Sequence, residues 1–172
     1  MILVALGTQK FQLNRLLRTV DQLIEEGYIQ EPVFAQTGHS DYVPRHFSWT
    51  PFLAKAEFED KISQCRILIT HSGVGTIITG LKLEKPVIVY PRLAKYREHV
   101  DDHQLQIGMS FQEKNYVLLC REEDRLEERI REAEQHSFDV YVSRNSCVLQ
   151  TIREFLKQEE PSETNSGSYG YI

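Results

Sequence analysis

Three short stretches of this 172-residue chain concentrate the groups that chemistry needs. The first is His71-Ser72-Gly73-Val74-Gly75-Thr76, directly after an apolar run that stops at Thr70. Gly73 and Gly75 let the backbone approach a ligand with no Cβ in the way. A helix starting here would turn its free N–H groups and the positive end of its dipole outward. Ser72 and Thr76 add hydroxyl donors. That set suits a diphosphate. It lacks the lysine of G-x-x-x-x-G-K and is not G-x-G-x-x-G. The same residues equally describe a tight strand-to-helix turn with Ser72 as N-cap.

The second stretch crowds Arg92, Lys95, Arg97, Glu98, His99, Asp101, Asp102, His103 and Gln104 into one segment after Pro91. At helical spacing Asp101 and Gln104 share a face. Carboxylates and amides supply the acceptors and donors that sugar hydroxyls need. Arg92 or Lys95 would favour an acidic sugar. The plain alternative is a solvated helix start with acidic residues in its first turn. His99 and His103 stand four apart, a spacing that serves metal ligands, but no third ligand lies near and no metal is expected. The third stretch is Gly7-Thr8-Gln9, whose backbone N–H groups would face the same ligand unless it is an ordinary turn. Phe52 and Leu53 follow Pro51; an aromatic there stacks on a base or, more often, joins the core.

The elements between these stretches explain why they would meet. Met1–Leu6 reads as a buried central strand, and apolar residues at spacings of three and four from Leu13 to Ile24 predict a helix to about Glu26, closed by Gly27. Strands follow at 32–36, at an edge near 46–49, and at 66–70, 86–90 and 116–119. Helices are predicted at 54–64, 73–83, 100–108, 122–135 and 144–157. Alternating strands and helices imply an α/β domain with a doubly wound parallel, Rossmann-like sheet. Ligands of such sheets lie beyond the carboxyl ends of the strands, where Gly7–Lys10, His71–Thr76 and Pro91–Gln104 all belong.

Composition narrows the function classes. With 25 acidic and 20 basic residues the net charge is −5 and no basic run stands out, which argues against a large nucleic-acid footprint. Cys65, Cys120 and Cys147 are far apart, as free thiols of a reducing compartment would be, each expected as a small buried side chain. Met1–Leu6 is too short for a signal-peptide core, and no apolar run approaches the roughly 18 residues of a membrane span. Residues 1–158 are expected to form one ligand-binding domain. Residues 159–172, rich in Ser, Gly, Glu and Asn, read as a mobile tail, with Tyr169-Gly170-Tyr171-Ile172 alternatively a docking peptide.

Taken in order, GTQ at 7–9, PFL at 51–53, HSGVGT at 71–76, KPVIVYPR at 85–92 and EHVDDHQ at 98–104 resemble the C-terminal, donor-binding domain of the family 28 glycosyltransferases. That resemblance implies one half of a GT-B fold. It is similar in particular to small subunits of bacterial capsular and exopolysaccharide β-1,4-galactosyltransferases and of the eukaryotic two-subunit UDP-GlcNAc transferase. The implied activity is an inverting, metal-independent hexosyl transfer without a cofactor. The donor would be a UDP-sugar, with UDP-galactose favoured, and the acceptor a lipid-linked saccharide. A membrane-anchored partner would supply the acceptor half and recruit this cytoplasmic chain to the inner face of the membrane.

By the same resemblance Gly7, Thr8 and Gln9 line the donor crevice, Phe52 lies against uracil, and the Leu53 backbone bonds its edge. Ser72, Gly73, Gly75 and Thr76 hold the diphosphate, while Asp102 and Gln104 contact the sugar, with Arg92 and His99 beside it. Relatives place a glutamate where this chain has Thr79, so ribose recognition departs from the pattern. The general base falls among His71, Glu98, His99, Asp101 and Asp102, and the sequence does not choose between them. Two alternatives remain: a non-catalytic nucleotide-sugar-binding or enhancer subunit, and a nucleotide-sugar epimerase, whose relatives carry both domains in a longer chain.

Overall fold

The β-branched and leucine-rich runs form a six-stranded, all-parallel sheet: β1 (Ile2–Ala5), β2 (Val33–Gln36), β3 (Ser48–Thr50), β4 (Ile67–Thr70), β5 (Val87–Val89) and β6 (Leu118–Leu119). A computed structural model describes residues 1–142; the predicted helix at 144–157, Cys147 and the tail at 159–172 lie outside them. The strand order is β3-β2-β1-β4-β5-β6. The chain winds outward from β1 in one direction, returns to β4 beside it, and winds outward in the other. The order therefore reverses between β1 and β4, the point at which such sheets open a crevice.

Because side chains alternate across a strand, the two faces build two cores. Ile2, Val4 and Leu6 pack with α1 (Asn14–Glu25) and α5 (Leu126–Gln135) on one face. Leu3 and Ala5 pack on the other with α2 (Lys55–Gln64), α3 (Val74–Lys82) and α4 (His103–Glu113). Each fully buried leucine or isoleucine contributes about 1.5–3 kcal/mol. Cys65 and Cys120 are buried among these apolar residues, and desolvation pushes their thiols up to about 11 and about 12.

Local chemistry sets the ends of the elements. Helix α1 closes at Gly27, whose φ of +79° suits the left-handed position. The Gly27 N–H donates to Ile24 and the Tyr28 N–H to Leu23, satisfying the last carbonyls. At the start of α2 the Glu57 carboxylate accepts the Ala54 N–H at 3.0 Å. The loop after β2 is tied to α1 by buried Asp21, which accepts from the Tyr42 hydroxyl at 2.6 Å and the Arg45 and His46 N–H groups at 2.8 and 2.9 Å. Burial pushes this carboxyl up, but those hydrogen bonds outweigh it and hold it below the usual carboxylate range.

Two helices start later than their sequence pattern suggests. Helix α4 begins at His103 rather than Val100, because the Asp101 carboxylate takes the His103 N–H at 3.0 Å and closes a turn before the helix. Asp101 and Gln104 consequently do not share a helical face, and His99 lies outside the helix that would have paired it with His103. Helix α5 begins at Leu126 rather than Glu122, since Asp124 Oδ2 accepts the Arg121 N–H and holds residues 121–124 in a turn. A short 3-10 turn at Ala94–Tyr96 carries no periodic signal and was not legible in sequence.

Candidate functional site

A crevice of about 580 Å³ opens at the carboxyl edge of the sheet. Its floor is the junction of β4 and α3. Gly73 caps α3 without a side-chain bond, and the first intrahelical bond is donated by Ile77. The N–H groups of Val74, Gly75 and Thr76 therefore have no intrahelical acceptor and point, with the helix dipole, into the opening.

His71 sits beneath this turn between two glycines. A Cβ at Gly7 would come within 2.5 Å of its ring, and one at Gly73 would collide with Nε2. Gly7 also has a φ of +71°, so its lack of a side chain serves conformation and proximity together. The Thr70 hydroxyl donates to the Ala5 carbonyl at 2.7 Å, which leaves its lone pairs to receive His71 Nδ1 at 3.3 Å. The proton thus resides on Nδ1 and Nε2 is bare. Burial, then the charge of Arg92, lowers the imidazole pKa to about 4, against the hydrogen bond to Ala5. The ring is neutral at physiological pH.

One amide ties the loops together. Gln104 Oε1 accepts the Ser72 N–H at 3.3 Å and the Arg92 N–H at 3.1 Å. With the oxygen committed, the Nε2 amide protons are the groups left to donate toward the crevice. Arg92 extends the brace. Fully buried, it donates to the carbonyls of Leu6 at 2.7 Å, Phe11 at 3.1 Å and Gln12 at 3.3 Å. It pins the loop after β1 to the loop after β5, and burial lowers its pKa to about 10. Arg92 Nη1 and Ser72 Oγ are buried without partners among the described residues.

Compared with known proteins, residues 1–158 match the glycosyltransferase family 28 C-terminal domain. The chain belongs to that family. It is 29% identical over 113 residues to the UDP-N-acetylglucosamine transferase subunit ALG13 of Debaryomyces hansenii, covering 59% of this chain and 53% of that one. The corresponding subunit of Cryptococcus neoformans is 31% identical over 104 residues, 59% of this chain and 48% of that one. The chain spans about half the length of these curated relatives. Among solved structures, the solution structure of ALG13 superposes with a TM-score of 0.54 at 18% identity, covering 90% of this chain and 94% of that one. The glycosyltransferase of kitacinnamycin gives 0.53 at 17% identity over 77% of this chain and 34% of that one. The fold is that of one half of a GT-B glycosyltransferase.

Against this family frame, the structure brings most of the expected residues to one place. Gly7, Thr8 and Gln9 line one wall, Leu53 the edge nearest β3, His71 to Thr76 the floor, and His99 and Gln104 the opposite wall. Six expected residues stand elsewhere. Arg92 is the buried brace and does not face the crevice. Glu98 is 1% exposed; Arg15 donates to both of its oxygens at 3.1 and 2.9 Å, and the Leu93 N–H adds a third bond at 3.0 Å. Asp102 lines a separate cavity of about 340 Å³ and accepts the Ala94 N–H at 2.8 Å. Phe52 is half-exposed and meets His39 edge-on at 5.2 Å, outside the lining. Thr79 also lies outside it, its hydroxyl donating back to the Gly75 carbonyl at 2.8 Å. Asp101 bonds His99 rather than facing the ligand space.

Gln36, Lys55, Phe58 and Ile107 line the crevice and were not singled out from sequence, and His103, named there only for its spacing from His99, lines it too. Gln36 carried a signal, being a polar residue that ends an apolar strand at its carboxyl end. Lys55 carried none, because a lysine in the first turn of a helix reads as solvated.

Proposed function

We propose that this chain is the donor half of an inverting glycosyltransferase and that a UDP-sugar lies in the crevice with its diphosphate against the N–H groups of residues 74–76. The observation that carries this reading is the uncapped start of α3 at the reversal point of the sheet, open to a 580 Å³ space between two glycine-bearing loops. Fixed N–H donors there act on the charge that builds on the leaving diphosphate, which is where electrostatic stabilisation is worth most. The Gln104 amide donates to a sugar hydroxyl, and Lys55 adds a positive charge at the rim.

The names of the relatives support UDP-N-acetylglucosamine as the first donor to test. UDP-galactose, and with it capsular or exopolysaccharide synthesis, is the second donor in the same panel. The relatives are named as subunits, which supports a partner that carries the acceptor half. We place that partner at the membrane, on the inner face, with a lipid-linked saccharide as acceptor and this chain recruited from the cytoplasm. No helix among the described residues is long and apolar enough to cross a membrane.

Calorimetric titration of the chain with UDP, UDP-N-acetylglucosamine and UDP-galactose tests the reading. Binding of UDP, weakened at least tenfold by Gly73→Ala, is expected; absence of binding at millimolar UDP would sink it. One observation favours the alternative, a nucleotide-sugar-binding subunit without catalysis: Thr79, whose proton is already given to Gly75, offers ribose less than a carboxylate does. Under that alternative Gln104→Ala leaves turnover of the assembled transferase unchanged.

A further inference from the structure

The reaction proposed above needs a group that removes the acceptor's proton, and the crevice wall holds one arranged for the task. Four of the five candidates named from sequence are otherwise engaged. Glu98 is buried and saturated by Arg15 and the Leu93 N–H. Asp102 bonds the Ala94 N–H and faces the other cavity. His71 lies between two glycines beneath the diphosphate loop, and at about 4 its pKa makes it a poor proton acceptor at neutral pH. Asp101 turns its carboxylate to His99 and the His103 N–H.

His99 remains, and its surroundings fix one tautomer. Nδ1 lies 3.1 Å from Asp101 Oδ1. The Asp101 N–H approaches the same nitrogen only at 3.5 Å, too long to compete. Asp101 is held ionised by the His103 N–H and by its neighbouring histidines. An ionised carboxylate only accepts, so Nδ1 carries the proton and Nε2 presents a lone pair. The ring packs on Phe11 at 4.8 Å and is 16% exposed, enough to reach the crevice it lines. A nitrogen base oriented by a carboxylate is the arrangement that proton abstraction from a hydroxyl uses.

We infer that His99 is the general base of the donor half and that Asp101 is its positioning residue. Nε2 takes the acceptor O–H proton as that oxygen bonds the anomeric carbon. The bond from that carbon to the β-phosphate oxygen breaks, its electron pair leaves on UDP, and the imidazolium passes its proton to solvent. The inference rests on the donor-half reading.

The test adds purified chain back to membranes of its source cell from which the gene has been deleted. It measures transfer of radiolabelled N-acetylglucosamine or galactose from the UDP-sugar into lipid extract, from pH 5 to 9. Binding of UDP by calorimetry is measured on the same preparations. His99→Ala is expected to lose about 100-fold or more in turnover while the KM for the UDP-sugar and the UDP affinity stay within about threefold. Its rate should lose the fall toward acid pH that a protonated imidazole causes, and added imidazole should restore part of it. The charged and titratable groups that line the crevice with His99 are His71, His103 and Lys55, and Asp101 bonds its ring. Asp101→Asn removes the acceptor that orients the ring, so turnover drops about tenfold while the KM for the UDP-sugar stays unchanged, and Asp101→Glu should restore part of the loss. The inference is overturned if His99→Ala keeps more than a tenth of the turnover with its acid limb intact, or loses turnover only through weaker UDP binding. If the unaltered chain binds no UDP or transfers no sugar, the donor-half reading falls and this inference with it.

Discussion

The loop after β4 and the segment after β5 face each other across the crevice, and they use their residues in opposite ways. In His71–Thr76 the ligand-facing groups are backbone N–H groups, while the glycines make room for a buried ring. In Pro91–Gln104 the side chains are abundant, yet most are spent internally. Arg92 holds three carbonyls, Glu98 holds Arg15, and Asp102 holds a turn. Only His99, His103 and Gln104 reach the crevice. A dense cluster of charged residues therefore signals scaffolding as readily as chemistry when its members can satisfy one another.

Removing the brace is the strongest way to break this contrast. Arg92→Met leaves three loop carbonyls without a charged donor and is expected to cost about 4 kcal/mol, lowering Tm by about 12 °C. Arg92→Lys should recover less than half, because one ammonium cannot span the three oxygens. A thermal melt unchanged by Arg92→Met would show the segment to be less structural than its bonds suggest.

The next effect belongs to the other loop and depends on pH. Burial and Arg92 hold His71 at about 4, below its unfolded value of 6.5. The folded chain then binds fewer protons than the unfolded one. This contribution, roughly 3 kcal/mol, is complete above pH 6.5 and is lost as pH falls through 4. His71→Asn should flatten the decline of Tm between pH 7 and 4; an unchanged decline refutes the assignment.

Gly73→Ala sharpens the comparison by attacking the diphosphate loop alone. Its Cβ displaces His71 and with it the α3 start, so UDP affinity should fall about 30-fold, or 2 kcal/mol, with a smaller loss of stability. Smallest is Asp102→Ala, which removes one bond to the Ala94 N–H. It is expected to cost about 1 kcal/mol in chemical denaturation and to leave UDP affinity within twofold. A large affinity loss there would return Asp102 to the site.

The same contrast explains what the sequence could tell. The sheet was legible because its strands are continuous apolar runs and each is followed by a loop or helix with clear punctuation. The diphosphate loop was legible because glycines and a strand-to-helix junction predict backbone geometry directly. Residues 91–104 were not, since the competition between Asp101 and the helix for the His103 N–H depends on a turn that hydrophobic spacing does not encode. Arg92 and Glu98 were misplaced for a related reason. A charge whose partners lie over 70 residues away, as Arg92 has in Leu6 and Glu98 in Arg15, looks free when read along the chain. Phe52 illustrates the limit of type alone, for an aromatic at a strand end turned toward His39 and solvent.

The His71 ring wedged between Gly7 and Gly73 has an evolutionary consequence. Two positions 66 residues apart are barred from carrying any side chain by the size of a third. Position 73 can change only with the ring, whereas position 7 is also held to glycine by its φ of +71°. Homologous chains that have lost the imidazole are free to accept alanine at position 73, whereas those that keep it are not. Covariation between positions 71 and 73, rather than at the charged residues that draw the eye, is where the ancestry of this crevice should be recorded.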